Sequence, residues 1–189
     1  MAGLYKIDKD REKKGPVGKR AVIYCCCFLV LIFIASVSEV TYLKIFEKVP
    51  ALTFALVCAI GFLCGERFGA MWGIVGGFAV DVLGNTGISF SPLLYMLCGY
   101  LCGALMGWFL SRNLPSFIIF AAIAGVFKEI YTVICFGLIS KSFPLIEIIT
   151  KILIPEYFAY LVCIFPAYGA VWGIDTLIRA RDKRRRSGF

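Results

Sequence analysis

Six apolar segments, separated by short polar stretches, make up most of this chain. They cover residues 21–42, 49–65, 68–84, 88–110, 114–139 and 152–178. A helix needs about 20 apolar residues to cross the hydrocarbon core of a bilayer, and the second and third segments are slightly shorter than that. The pattern therefore predicts an all-α integral membrane protein, a bundle of about six transmembrane helices. The second and third segments are either full spans or one re-entrant hairpin, and Pro155 and Pro166 predict kinks in the last segment.

Positive charge is concentrated at the two ends of the chain. We divide the sequence into a basic N-terminal arm (1–20), a six-span membrane domain (21–178) and a basic tail (179–189). If both ends lie on one side of the membrane, that side carries fifteen Lys and Arg residues and the other side four, while Lys128 falls inside the fifth segment. Cytoplasmic loops are enriched in Lys and Arg, so both termini are expected in the cytoplasm. No small-residue cleavage site follows the first segment, which predicts a retained helix and not a signal peptide.

Composition supports this class and excludes several kinds of chemistry. The 189 residues are 60% apolar and 17% charged, with a mean hydropathy of +0.86, whereas soluble domains are close to half apolar. Histidine is absent, which excludes Ser-His-Asp triads and zinc sites of the HExxH type. The five aspartates form no clustered pair of the kind that holds a divalent metal in a lipid-phosphate transferase. We therefore expect no enzyme activity, no metal and no cofactor.

Cysteines and basic ends both have ordinary explanations in a membrane bundle. The nine cysteines all lie in apolar segments and form no CxxC pairs, so we interpret them as small packing residues and not as a disulfide framework. The basic ends adjoin predicted membrane helices. We expect them to attract anionic lipid headgroups, with no nucleic-acid partner.

Glycine recurs at every fourth residue in two consecutive segments. The candidates for helix packing or partner docking are Gly69, Gly73 and Gly77 in the third segment and Gly99, Gly103 and Gly107 in the fourth. Because four residues turn a helix through about 400°, each set forms one slowly drifting stripe. Small residues in such stripes let membrane helices approach closely. The stripes therefore predict either packing of the third segment on the fourth or docking of a partner's helix.

Asp81, Lys128 and Glu129 are the candidate buried polar residues. Asp81 follows Gly77 by four residues, so it is expected beside the packed stripe, with the turn GNTG directly after it. Lys128 and Glu129 lie near the middle of the fifth segment, where a charge costs at least about 2.5 kcal/mol. Asp81 and Lys128 reach similar depths in the membrane, so we predict that Asp81 either pairs with Lys128 or caps the turn. Such a pair would tie helices together or form part of a partner site or polar cavity.

The other charges inside the apolar segments lie close to the predicted membrane surfaces. Glu39 and Glu156 are expected near the outer surface, where water can reach them. Asp175 is expected to pair with Arg179, one helical turn later and near the cytoplasmic surface.

The run GERFGAMWGIVGGFAVDVLGNTGISFSPLLYMLCGYLCG (65–103) resembles the signature region of the rod shape-determining protein MreD family. Residues of the family's pattern are found here as Gly73, Gly77, Phe78, Asp81 and Leu83, followed by Gly87 and then by Gly99, Tyr100, Leu101 and Gly103. The resemblance is specific over about 40 residues and extends as hydropathy alone over the rest. It implies a small multi-span bundle with a non-enzymatic role.

A place in the bacterial elongation (rod) complex of the cytoplasmic (inner) membrane is what this resemblance implies. The chain would help control cell shape and lateral peptidoglycan synthesis through helix–helix contacts with MreC. RodA, a class B penicillin-binding protein and MreB complete the implied set of partners.

The alternative is a substrate-binding subunit of an energy-coupling-factor vitamin transporter. Such subunits also have about this length and six helices, and they dock through an Ala-x-x-x-Ala stripe in the first helix. Here Ala51, Ala55 and Ala59 have that spacing, but they lie in the second segment.

Overall fold

Six α-helices contain nearly all the residues that the computed structural model describes, which are 19–41, 51–84, 91–109, 114–139 and 153–186. They are α1 (Lys19–Thr41), α2 (Leu52–Cys64), α3 (Glu66–Gly84), α4 (Ser91–Phe109), α5 (Leu114–Ile139) and α6 (Ile154–Arg186). No strand occurs in these ranges. The prediction of an all-α fold is confirmed, and each apolar segment corresponds to one helix.

The short helix α2 lies at the centre of the bundle. Every residue from Thr53 to Leu63 is buried, and α2 contacts each of the other helices. A helix that is apolar on all sides belongs in a core, because no face of it favours water. Its 13 residues extend over about 20 Å, which is less than the hydrocarbon thickness of about 30 Å.

Helices α2 and α3 form an antiparallel hairpin joined by a single residue, Gly65. Its φ of 100° lies in the left-handed region that glycine adopts without steric cost. The Gly65 N–H donates to the carbonyl of Gly61 (2.9 Å), and the Gly65 carbonyl accepts from the N–H of Gly69 (3.0 Å). Farther along, Gly76 lies against the side chain of Val57, so the two helices run side by side beyond the turn.

The surface of the bundle is apolar, and many of its polar groups are inside. Large apolar side chains are exposed along α1, α3, α4, α5 and α6. Soluble monomers rarely expose apolar surface of this extent, whereas lipid solvates it. Within the described residues, three stretches are long and apolar enough to cross a membrane: Val22–Glu39, Leu114–Ile134 and Ile154–Ile178. Shorter apolar stretches occupy α2 and most of α4.

The last helix extends beyond the predicted membrane boundary. The sequence pattern ends the sixth segment at residue 178, where hydropathy falls, but α6 continues to Arg186. Arg and Lys are good helix formers, so the backbone stays helical where the polarity changes. Pro155 lies in the first turn, where the missing N–H costs little, and Pro166 lies inside the helix. The kinks expected at these two prolines remain predictions.

Candidate functional site

Two glycine stripes face each other across the contact between α3 and α4. A Cβ atom added at Gly73 would lie 2.5 Å from the carbonyl oxygen of Tyr95, and one added at Gly77 would lie 2.5 Å from the Cα atom of Pro92. Real Cβ atoms essentially never come within 3.0 Å of a neighbouring atom. The two helices therefore touch through their backbones, and this contact requires glycine on α3.

A second contact brings three helices together at Gly61, Gly69 and Gly99. A Cβ atom added at any of the three would collide with the backbone of another. One turn along α4, a Cβ atom at Gly103 would collide with the first residue of α3. Gly107 also lies on α4, but its surroundings are outside the described part of the structure. The described glycines of both stripes are thus covered by contacts inside the chain.

Two other glycines of the packed core were not among the predicted packing residues. Gly61 precedes Gly65 and Gly69 at the same four-residue spacing, but the chain turns at Gly65, so Gly61 lies on a different helix from the stripe of α3. A Cβ atom at Gly125 would collide with the ring of Tyr160, so this glycine makes room for the tyrosine on α6. The Tyr160 hydroxyl then donates to the carbonyl of Ala121 (2.8 Å), which holds α6 against α5.

A buried ion-pair network lies where α5 meets the start of α6. The Lys128 Nζ atom lies 2.5 Å from Glu156 Oε1 and 3.3 Å from Glu129 Oε1. The side chains of Lys128, Glu129 and Glu156 are 11%, 9% and 22% exposed, respectively. Charges removed from water in this way need partners, because an isolated buried charge is costly. The Lys128–Glu156 pair therefore fixes α5 against α6.

Glu39, near the end of α1, adds a carboxylate to this network. Its Oε2 atom accepts a hydrogen bond from the backbone N–H of Thr53 (3.1 Å), and the hydroxyl of Thr53 shares one with the hydroxyl of Ser36 (3.2 Å). Glu39 thus supplies an acceptor and a negative charge at the N-terminus of α2, where Ala51 cannot cap. It also lies within electrostatic range of Lys128 and Glu156. The polar cluster is defined as Glu39, Lys128, Glu129 and Glu156.

The expectation that water simply reaches Glu39 and Glu156 is wrong for Glu39 and incomplete for Glu156. Glu39 is only 8% exposed, because the start of α2 covers it. Glu156 keeps some exposure but is committed to Lys128. Sequence reasoning placed both residues at the surface because they lie near the ends of their segments.

The predicted pairing of Asp81 with Lys128 is wrong. Lys128 binds two glutamates, and the buried Oδ1 atom of Asp81 has no hydrogen-bond partner. The reason is helix adjacency: α3 packs mainly on α1, α2 and α4, whereas α5 packs on α2, α4 and α6. Similar depth in a membrane does not join residues on helices that are not close neighbours. Most of the turn that Asp81 was expected to cap, residues 85–87, lies outside the described residues.

Asp81 and two members of the polar cluster act electrostatically on one tyrosine. Tyr95, which is buried on α4, is within electrostatic range of Asp81, Glu39 and Glu156. Among the described residues, two buried carboxylate oxygens have no hydrogen-bond partner, Oδ1 of Asp81 and Oε2 of Glu129. The described residues contain no group of His, Cys, Asp and Glu side chains able to hold a metal ion. The arrangement can tie helices together by charge and can accept further hydrogen bonds.

At the opposite end of the bundle, a hydrogen bond joins α1 to α6. The Tyr24 hydroxyl donates to Asp175 Oδ1 at 2.8 Å, and both residues are buried. The side chain of Arg179, the predicted partner of Asp175, is outside the described part. That pairing remains a prediction.

A comparison of the chain with models of protein families, with curated proteins and with solved structures gave no match in any of the three. Its function is therefore inferred from its own residues and contacts. The glycine contact, the polar cluster and the apolar surface are the features that bear on it.

Proposed function

We propose that this chain is a non-enzymatic, multi-pass subunit of the bacterial elongation (rod) complex in the cytoplasmic membrane, similar to MreD. The observation that carries the proposal is the contact between α3 and α4. Within the stretch that resembles the MreD signature, Gly73, Gly77, Gly99 and Gly103 are positions where a Cβ atom would strike a neighbouring backbone. Glycine at this spacing is what close helix packing in lipid needs. The motif and the contact therefore support one another.

The proposed topology has six membrane-embedded helices and both termini in the cytoplasm. The Tyr24–Asp175 hydrogen bond brings the first part of α1 beside the last part of α6, which supports placing both basic ends on one side of the membrane. This agrees with the distribution of Lys and Arg, fifteen against four. We expect periplasmic alkaline phosphatase fused after Phe189 to be inactive and the same enzyme inserted near Asn85 to be active. Activity at Phe189 would contradict the orientation.

MreC is the main partner in this proposal, with RodA, the class B penicillin-binding protein and MreB as further members of the complex. Because the described glycines of both stripes are covered inside the chain, a partner's helix has to meet other faces of α3 and α4. Phe78, Val82 and Leu93 are 63%, 62% and 61% exposed on these helices. Such side chains supply the van der Waals contact on which helix association in lipid depends.

Depletion of the chain in its native bacterium, followed by rescue, tests the proposed function. Depleted cells should lose rod shape, a wild-type copy should restore it, and Asp81→Ala should fail to restore it. Among the described residues, the buried Oδ1 atom of Asp81 has no hydrogen-bond partner, and an unsatisfied buried group costs about 1–3 kcal/mol. Its removal should leave the amount of folded protein unchanged or higher, so a loss of shape would report on a partner. Cell width and membrane protein level are the measurements.

Ile119→Ala is the control for Asp81→Ala, because Ile119 is 59% exposed on α5, a helix outside the proposed docking faces of α3 and α4. This variant should restore rod shape. If depleted cells keep their shape and the purified protein retains no MreC, the proposed function is wrong. If Asp81→Ala restores rods as well as wild type does, only the role given to Asp81 is lost.

The vitamin-transporter alternative has less support. Its docking stripe would be Ala51, Ala55 and Ala59, which are 2%, 0% and 0% exposed. A stripe buried inside the bundle cannot meet a partner's helix. Tight retention of a vitamin by the purified protein would favour this alternative over the rod complex.

A further inference from the structure

An apolar groove of about 420 Å³ opens on the side of the bundle between α1 and α6. It is lined by Cys26, Cys27, Val30, Leu31, Ile34 and Ile174. Helices α1 and α6 both pack on α2 but hardly contact each other, which leaves this space between them. The lining is almost entirely apolar, so the groove suits a hydrocarbon chain and not a water-soluble ligand.

Basic residues lie toward one end of the groove. The Tyr24–Asp175 hydrogen bond crosses from α1 to α6 at this end. Beyond it, α1 begins with Lys19 and Arg20. On the other helix, the last part of α6 (179–186) contains six Lys or Arg residues and one Asp. Both helices that border the apolar groove therefore lead into basic sequence at this end.

Distances along α1 match one leaflet of a bilayer. Val30, in the groove, is ten residues from Arg20, which is about 15 Å along a helix. Half of the hydrocarbon thickness is also about 15 Å. A lipid headgroup at the level of Arg20 would therefore place its acyl chain along the groove.

We propose that this groove binds an acyl chain of an anionic phospholipid, with the lipid phosphate among the basic residues at the ends of α1 and α6. The apolar lining supplies contact area, and the basic ends supply selectivity for negative charge. A partner's transmembrane helix could fill the groove but would make no use of the adjoining charge, so the observations favour lipid. The inference rests on the proposed placement of both helix ends at one membrane surface, and not on a role in cell elongation.

The test measures which lipids remain bound to the purified full-length protein. The protein is reconstituted in nanodiscs containing equal amounts of phosphatidylglycerol and phosphatidylcholine, and the lipids that stay bound on release are counted by native mass spectrometry. Each Lys or Arg near the membrane surface favours an anionic lipid about fivefold. If at least one of these residues contacts the phosphate, bound phosphatidylglycerol should exceed bound phosphatidylcholine by about fivefold or more. Equal retention of the two lipids would overturn the proposal.

Two matched pairs of variants separate the groove from the rest of the lipid-facing surface. Val30→Trp and Ile34→Trp place an indole in the groove. The native residues Val30 and Ile34 are 54% and 58% exposed. Leu29→Trp and Phe33→Trp alter neighbours that are 55% and 58% exposed but do not line it. The first pair should lose bound phosphatidylglycerol and the second should keep it. If all folded variants retain the same amount of phosphatidylglycerol, the proposal is overturned. Each class contains two variants, so the comparison still holds if one of them does not fold.

A charge variant tests the headgroup position. Lys19→Gln combined with Arg20→Gln should lower the ratio of phosphatidylglycerol to phosphatidylcholine about fivefold for each charge removed. Lys13→Gln combined with Lys14→Gln removes the same charge from the N-terminal arm and should change the ratio less. If the two double variants behave alike, the phosphate does not lie at the helix ends and the proposal fails. Because the protein is purified, this result does not depend on whether the chain determines cell shape.

Discussion

Gly99→Ala should prevent most of the protein from folding. The added methyl carbon would lie 2.9 Å from the carbonyl carbon of Gly69, 2.9 Å from a methyl group of Val57 and closer still to the Gly69 carbonyl oxygen. Backbone atoms of α3 cannot move aside without separating α3 from α4 along their contact. Overpacking typically costs about 1–3 kcal/mol where side chains can adjust. Against backbone, we expect the cost to lie at or above the top of that range.

Gly173→Ala is the matched control, because it makes the same substitution inside α6, where a Cβ atom meets nothing within 4 Å. Alanine has a higher helix propensity than glycine by about 1 kcal/mol, so this variant should be as stable as wild type or more stable. The folded fraction is measured by size-exclusion chromatography of detergent-solubilised protein, and stability by its midpoint of thermal unfolding. Equal midpoints for the two variants would show that α3 and α4 are not held in backbone contact at Gly99.

Lys128→Met should destabilise the bundle by about 3–5 kcal/mol, the usual cost of breaking a buried ion pair from one side. The substitution keeps most of the side-chain volume but leaves Glu129 and Glu156 without the ammonium group that lies 3.3 Å and 2.5 Å from them. Repulsion from Glu39, which lies in the same electrostatic environment, adds to the cost. The expected result is a lower midpoint of thermal unfolding and less folded protein in the membrane.

Double variants identify the partner of Lys128. Lys128→Met combined with Glu156→Gln should be less harmful than the sum of the single variants, because the second change removes a stranded charge; coupling of about 0.5–3 kcal/mol is usual for residues in contact. Lys128→Met combined with Asp81→Ala should be additive, since no ion pair joins these residues. The opposite outcome, additivity with Glu156 and coupling with Asp81, would contradict the ion-pair network described above.

Glycine positions show how far the sequence reaches toward the candidate site. The four-residue spacing in the third and fourth segments was visible along the chain, because a residue repeated once per turn marks one face of a helix. The spacing left open whether that face meets another helix of the chain or a partner. Gly61 continues this spacing through Gly65 into the second segment, but α2 and α3 are separate helices, so its role appears only where α2, α3 and α4 converge.

The sequence by itself determined that the chain is helical, approximately where each helix lies, and that its outer surface is apolar. These are local properties, because the length of an apolar run and the helix propensity of its residues do not depend on what lies next to it. Only the tertiary structure decided which groups meet: that α2 is central, that Glu39 reaches the start of α2, and that Lys128 binds Glu156, 28 residues away. A buried charge takes the nearest opposite charge in three dimensions, and the order of helices around the bundle sets which one that is.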